Sequence, residues 1–237
     1  MTLLRETLSW WKDGTRRQGF RTTLRQFLAI VTEFARESTP SSHRQRYGDI
    51  DFDWDHRVDT TGATVSWSNR FVGHLHSAYQ PTEPAAFHQM MDALGIDFGR
   101  FTFIDIGSGK GRALLMAADY PFRRVVGVEL LPALHRIAEK NIRTYRRENR
   151  RCPLVESIRQ NAVDFEFPDE PIVLYLFNPL GEVNLIKLIA NLNRSLTKSP
   201  RPAYALYHNP LLEHILLNAG WRKLRGEQYY SLFSFAR

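Results

Sequence analysis

Cysteine is almost missing from this sequence: Cys152 is the only one in 237 residues. A solitary cysteine closes no disulfide within the chain, which excludes a cysteine-stapled fold and leads us to expect a reducing, cytoplasmic setting. Long hydrophobic runs are missing too. No stretch approaches the roughly 18 apolar residues that a membrane-spanning helix needs. Met1 to Gly19 is broken by Arg5, Glu6, Lys12, Asp13, Arg16 and Arg17. It has no apolar core of a secretory signal, so it reads as mature protein. Metal-ligand spacing among His, Cys, Asp and Glu is also lacking. Asp49, Asp51, Asp53, Asp55 and Asp59 alternate with other residues, but the central glycine and terminal glutamate of a calcium loop are not there. No metal is expected.

What the chain does have is an ordinary globular composition, 43% hydrophobic and 24% charged, enough for one substantial core plus an N-terminal surplus. Its net charge of +7 is uneven. Residues 123–151 hold nine Lys and Arg against three Asp and Glu, so most of the excess lies there. Arg136, Lys140, Arg143 and Arg147 recur at helical spacing and share one face. Such a face is either solvated or a docking stripe for nucleic acid, an acidic protein or an anionic membrane surface.

Leu24, Phe27, Leu28, Val31 and Phe34 mark an amphipathic helix over 21–37, and 41–69 reads as a loosely structured, turn-rich cap. Thr82 is placed as the N-cap of a helix through Phe87 and Met91, with Pro84 in its first turn. Strands and helices then alternate. Strands are expected near 101–106, 125–129, 154–158, 172–177 and 203–207, with two final strands, 221–224 and 229–235, too close for a crossover helix and so antiparallel. The expected fold is α/β: a doubly wound, Rossmann-like, seven-stranded and mostly parallel sheet with a reversed last strand. A helical and irregular extension (1–78) precedes the main domain (79–237).

The most informative segment runs from Phe103 to Arg112, a strand that enters Gly107-Ser108-Gly109-Lys110-Gly111 and then a helix. Asp105 closes the strand. The glycines allow unusual dihedrals and close ligand approach. Glu129, 22 positions beyond Gly107 at the end of the second strand, stands where a carboxylate can take both ribose hydroxyls. A phosphate-cleaving loop would follow its lysine with Ser or Thr; here Gly111 follows Lys110. The spacing G-x-G-x-G also differs from the dinucleotide pattern, with Arg112 at the would-be third glycine. A nucleoside-containing cofactor is indicated, and its kind is open on these residues alone.

With these motifs, residues 101–235 resemble the class I S-adenosylmethionine-dependent methyltransferases. Asp105 to Gly111 matches that family's first motif and Val128-Glu129 its second. The resemblance implies S-adenosylmethionine as cofactor, with Asp105 near the methionine amino group. It places Gly107, Ser108, Gly109 and Gly111 along the methionine side and Glu129 on the ribose. Asn161-Ala162 matches the pair after the third strand that contacts the adenine amine, with an amide in place of the usual acid. Asn178-Pro179 falls where amine-methylating members carry Asp/Asn-Pro-Pro-aromatic; Leu180 and Gly181 replace the last two, which tells against a base-stacking substrate.

Tyr79-Gln80-Pro81-Thr82 adds a narrower resemblance, to the non-SET protein-lysine methyltransferases. It implies that Tyr79 and Thr82 cover the methionine end, while Asn178 orients the amine. The expected activity is methyl transfer to a nitrogen nucleophile, a protein lysine first, with an acidic protein as a possible partner of the basic face and small-molecule or RNA acceptors as alternatives. A cofactor-binding module without catalysis and a nicotinamide-dependent oxidoreductase are the competing classes. Tyr175 reads as core. His208, at the end of the fifth strand, reads as a loop histidine or substrate contact.

Overall fold

A computed structural model describes residues 3–37, 50–61, 81–145 and 151–235. These fall into two compact units. One holds the N-terminal helices; the other joins Phe52–Thr60 to Pro81–Arg237.

In the first unit, α1 (Leu3–Gln18) and α2 (Phe20–Glu37) form a hairpin. Gly19 turns it at φ 82°, a left-handed conformation that costs a glycine nothing. Trp11 meets Phe20 and Phe27 edge-on, both at 5.7 Å between ring centres. Helix α2 matches the periodicity over 21–37. Helix α1 is not evident in the sequence, because its interspersed charges blur the apolar spacing.

The second unit begins at Phe52 within α3 (Ile50–His56), inside the stretch expected to be a loosely structured cap. Over 50–56 that expectation is corrected; 41–49 and 62–69 lie outside the described residues. Alternating aspartates are poor helix formers, but Phe52 is buried, and His56 stacks between Phe52 and Tyr145, 4.3 and 5.5 Å between ring centres. Tertiary contact overrides local preference here. Helix α4 (Pro84–Asp92) starts at the cap residue Glu83 with no side-chain capping bond. The N-cap role expected of Thr82 is therefore also corrected. Its hydroxyl, 2.9 Å from the Tyr175 hydroxyl, is engaged in the core instead.

The sheet comprises β1 (Thr102–Ile106), β2 (Arg124–Glu129), β3 (Val155–Arg159), β4 (Ile172–Phe177), β5 (Ala203–His208), β6 (Arg222–Gly226) and β7 (Tyr230–Phe235). The spatial order is β3-β2-β1-β4-β5-β7-β6. Strands β1 to β5 run parallel, β7 antiparallel to β5, and β6 antiparallel to β7. The crossovers carry α5 (Arg112–Ala117), α6 (Pro132–Thr144), α7 (Glu182–Lys198) and α8 (His214–Asn218). This is the expected architecture.

Alternation along each strand divides the core between the two sheet faces. Ile104, Ile106, Leu174 and Leu176 pack with Leu185, Leu188 and Leu192 of α7. Phe103, Val173 and Tyr175 pack with Phe87 and Met90 of α4 and Leu115 of α5. Strand order reverses between β1 and β4, and in parallel sheets the crevice at such a switch point receives ligands. Asp105 lies there, in register with Gly127 of β2 and Tyr175 of β4.

Candidate functional site

The chain leaves β1 through a loop pinned to its neighbours. The Gly107 and Ser108 amides donate to the Val128 carbonyl at 2.8 and 3.2 Å, and the Gly111 amide donates to the Ser108 carbonyl at 2.8 Å. Gly107, Gly109 and Gly111 take φ values of 73°, 55° and 85°. At Gly107 the need is doubled, since a Cβ there would stand 2.7 Å from Cβ of Pro179. The glycine loop and the Asn178-Pro179 turn after β4 thus touch across the switch point. Gly107→Ala should cost about 3 kcal/mol through left-handed strain and overpacking, read as a lower urea midpoint.

Glu129 closes the loop from β2. Its Oε2 accepts the Gly109 amide at 2.8 Å and its Oε1 the Leu131 amide at 2.7 Å. Each carboxylate oxygen retains a further lone pair for a ligand hydroxyl. Burial pushes its pKa up, and these backbone donors hold it down. Asp105 is only 4% exposed. Burial, with Glu129 adding repulsion, raises its pKa to about 8. A cation brought beside it would favour its ionised form. Ser108 adds a buried hydroxyl with no partner among the described residues.

Asn161 follows β3 and caps a short turn over Ala162–Asp164 by accepting the Val163 amide at 3.4 Å. The neighbouring Gln160 amide donates to the Glu129 carbonyl at 3.1 Å, which ties this turn to the end of β2. Asn178, directly after β4, takes a left-handed φ of 45°. Thr82 belongs to a buried hydrogen-bonded chain that runs on from Tyr175 to Nδ1 of His208 at 2.9 Å. The His208 ring stacks on Phe177 at 4.0 Å. Burial lowers the His208 pKa to about 4 and raises that of Tyr175 well above its ordinary value, so both are neutral near pH 7. Tyr79 lies outside the described residues.

The largest feature not read from the sequence joins the glycine loop's cations to an earlier segment. Lys110 is fully buried and Arg112 is 2% exposed. Lys110 Nζ donates to Asp59 at 2.7 Å. Arg112 Nε donates to the Thr60 hydroxyl at 2.6 Å, its Nη2 lies 3.4 Å from Asp53, and its guanidinium carbon stands 4.9 Å over the Phe52 ring. Asp53 in turn accepts the Thr60 amide at 2.6 Å and also bonds its hydroxyl. Asn141 of α6 donates to the carbonyls of Asp59 and Lys110 at 2.7 and 2.9 Å. Residues 52–60 therefore form a strap whose acids face the loop's two cations. The sequence holds the alternating aspartates and the Lys-Gly-Arg loop, but nothing in their spacing pairs them.

The donor set fits a cationic nucleoside better than a phosphate. Its inward groups are carboxylates and glycine backbone, and both loop cations are engaged by the strap. Among the described residues no group of His, Cys, Asp and Glu could hold a metal ion, and no helix is long and apolar enough to cross a membrane.

No protein-family model matches the chain, and no curated protein is similar to it in sequence. Solved structures do match. A predicted N6-adenine-specific DNA methylase from Listeria monocytogenes shares 15% identity over 66% of this chain and 51% of its own, about half its length, with a TM-score of 0.50. An RNA methyltransferase from Salinibacter ruber, solved with S-adenosyl-L-homocysteine, shares 20% identity over 66% and 92% of the two chains, TM-score 0.44. The glycopeptide N-methyltransferase MtfA, solved with S-adenosyl-L-methionine, shares 10% over 64% and 92%, TM-score 0.47. At such identities the likeness is one of fold. Strand order and the reversed final strand give this chain a Rossmann-like, seven-stranded fold of the kind seen in that methylase.

Proposed function

We propose that the protein is an S-adenosylmethionine-dependent methyltransferase acting on a nitrogen nucleophile, a protein lysine before other acceptors. One observation carries the cofactor assignment: two buried carboxyl groups, Asp105 and Glu129, stand beside a glycine loop whose own cations are bonded to the 52–60 strap. A positively charged amino acid joined to a ribose matches both acids. Asp105 would take the ammonium group, Glu129 the ribose hydroxyls, and the Gly107–Gly111 backbone the methionine chain. Asn161 and Ala162 would meet the adenine edge. Thr82, with Tyr79 before it, would cover the methionine end.

The bound cofactor would supply an electrophilic methyl on sulfonium sulfur. The chain's task is then alignment rather than covalent catalysis. In our reading the Asn178 amide oxygen accepts an N–H of a neutral amine, so that its lone pair faces the methyl. Pro179, packed on Gly107, keeps this turn against the cofactor loop. The nitrogen and lysine readings draw on Asn178-Pro179 and on Tyr79-Gln80-Pro81-Thr82. Exposed Arg136, Lys140 and Arg143 on α6 would attract an acidic region of a partner protein. The same face favours RNA as the second reading, and strong salt dependence of binding would mark it. We assign residues 79–237 to the methyl-transfer domain and 1–78 to an extension that contributes the 52–60 strap. The buried lone Cys152 supports action in the cytoplasm.

Incubation with methyl-labelled cofactor and cell extract tests the proposal. Label should enter protease-sensitive material and be recovered as methyl-lysine. Nuclease-sensitive label would instead favour RNA, and binding without any transfer would leave only a cofactor-binding module. Asn178→Ala should lower transfer about a hundredfold with cofactor affinity unchanged, the scale of one lost transition-state contact. Asn178→Gly, at ease with the left-handed backbone, should behave alike. Unchanged turnover in both would remove Asn178 from the reaction.

A further inference from the structure

Two cations stand in a loop whose proposed ligand is itself a cation. Lys110 and Arg112 follow Gly109 and Gly111, and two unit charges roughly 10 Å apart at an effective dielectric of about 20 interact strongly enough to shift binding about tenfold. Asp59 and Asp53 answer these charges at 2.7 and 3.4 Å from a strap some fifty residues earlier in the chain. Thr60 and Phe52 hold the guanidinium, and Asn141 holds the strap to the loop backbone. The carboxylates therefore do more than fasten a segment. They also bear on the charge of the loop.

We propose that Asp53 and Asp59 are specificity-determining positioning residues: by neutralising Arg112 and Lys110 they allow the loop to prefer a sulfonium cofactor over its neutral thioether product. This rests on the cofactor reading above. Neither acid touches the cofactor in this scheme; each acts through the cation that it faces. The two ligands that compare directly are S-adenosylmethionine and S-adenosylhomocysteine, which differ by one methyl group and one positive charge. A strap that merely holds the loop in shape would affect both alike. A strap that sets its charge would affect their ratio.

Calorimetric titration of the full chain with each ligand reads that ratio without a methyl acceptor. Asp53→Asn removes one negative charge beside a guanidinium that keeps its own in all settings. It should lower the affinity for S-adenosylmethionine relative to S-adenosylhomocysteine about tenfold. Arg112→Met removes one positive charge from the loop and should shift the ratio the other way. The double variant D53N/R112M should return near the wild-type ratio. Thermal melts establish that each variant is folded; if Asp53→Asn is not, Arg112→Met and the double variant still supply the reversed sign and its cancellation. Equal weakening of both ligands in every folded variant would overturn the inference and leave the cofactor reading standing. A wild-type chain that takes neither ligand would overturn that reading itself.

Discussion

Binding of S-adenosylmethionine at about pH 6.5 should release most of one proton from the protein. The ligand-free Asp105 carboxyl, raised to about 8 by burial and by Glu129, is largely protonated at that pH, while the cofactor's own amine, with an ordinary value near 7.7–8.0, is already charged. An ammonium group brought against Asp105 favours the ionised form, so its proton must leave. Calorimetry in two buffers of different ionisation enthalpy counts that proton. Asp105→Asn should abolish the release and weaken binding. The same shift has a sign in stability. Asp105 is raised in the folded state, so its contribution is fully present below about pH 4 and is lost as pH rises toward 8. Bound cofactor should flatten that decline. Release of no proton by wild-type protein would place the ligand's charge elsewhere.

Glu129→Ala should weaken cofactor binding by about a hundredfold or more. The side chain accepts two backbone amides, from Gly109 and Leu131, and in the proposed complex two ribose hydroxyls as well. Hydrogen bonds to a charged group contribute about 1.5–3 kcal/mol each, and each 1.4 kcal/mol is tenfold in affinity. Loss of the ribose pair alone reaches the stated factor; an unanchored Gly109 adds to it. Glu129→Gln keeps one acceptor oxygen and should fall between. Near-normal affinity in Glu129→Ala, measured by direct titration, would remove Glu129 from the ribose.

The central part of this site was legible because several local signals agree. A doubly covered strand such as Ile172–Phe177 is almost wholly apolar, and Asp105, the glycines and Glu129 follow a spacing that the parallel sheet itself imposes. Topology was legible for the same reason: only a short link separates the last two strands, so they had to pair antiparallel. The strap was not legible. Asp53 and Asp59 gain their meaning from Lys110 and Arg112, more than fifty positions on, and no periodicity announces a pairing of that kind. Thr82 misled for a related reason. Thr-Glu-Pro reads locally as a helix start, yet its hydroxyl is bonded to Tyr175 across the core. Helix α1 shows how scattered surface charge hides an amphipathic pattern.

The most direct measurement is a calorimetric titration of the full chain with S-adenosylmethionine, run beside NAD. Saturable one-site binding of S-adenosylmethionine, with no binding of NAD, is the predicted result. Tight binding of NAD and none of S-adenosylmethionine would contradict the assignment of Asp105 and Glu129 to a sulfonium nucleoside.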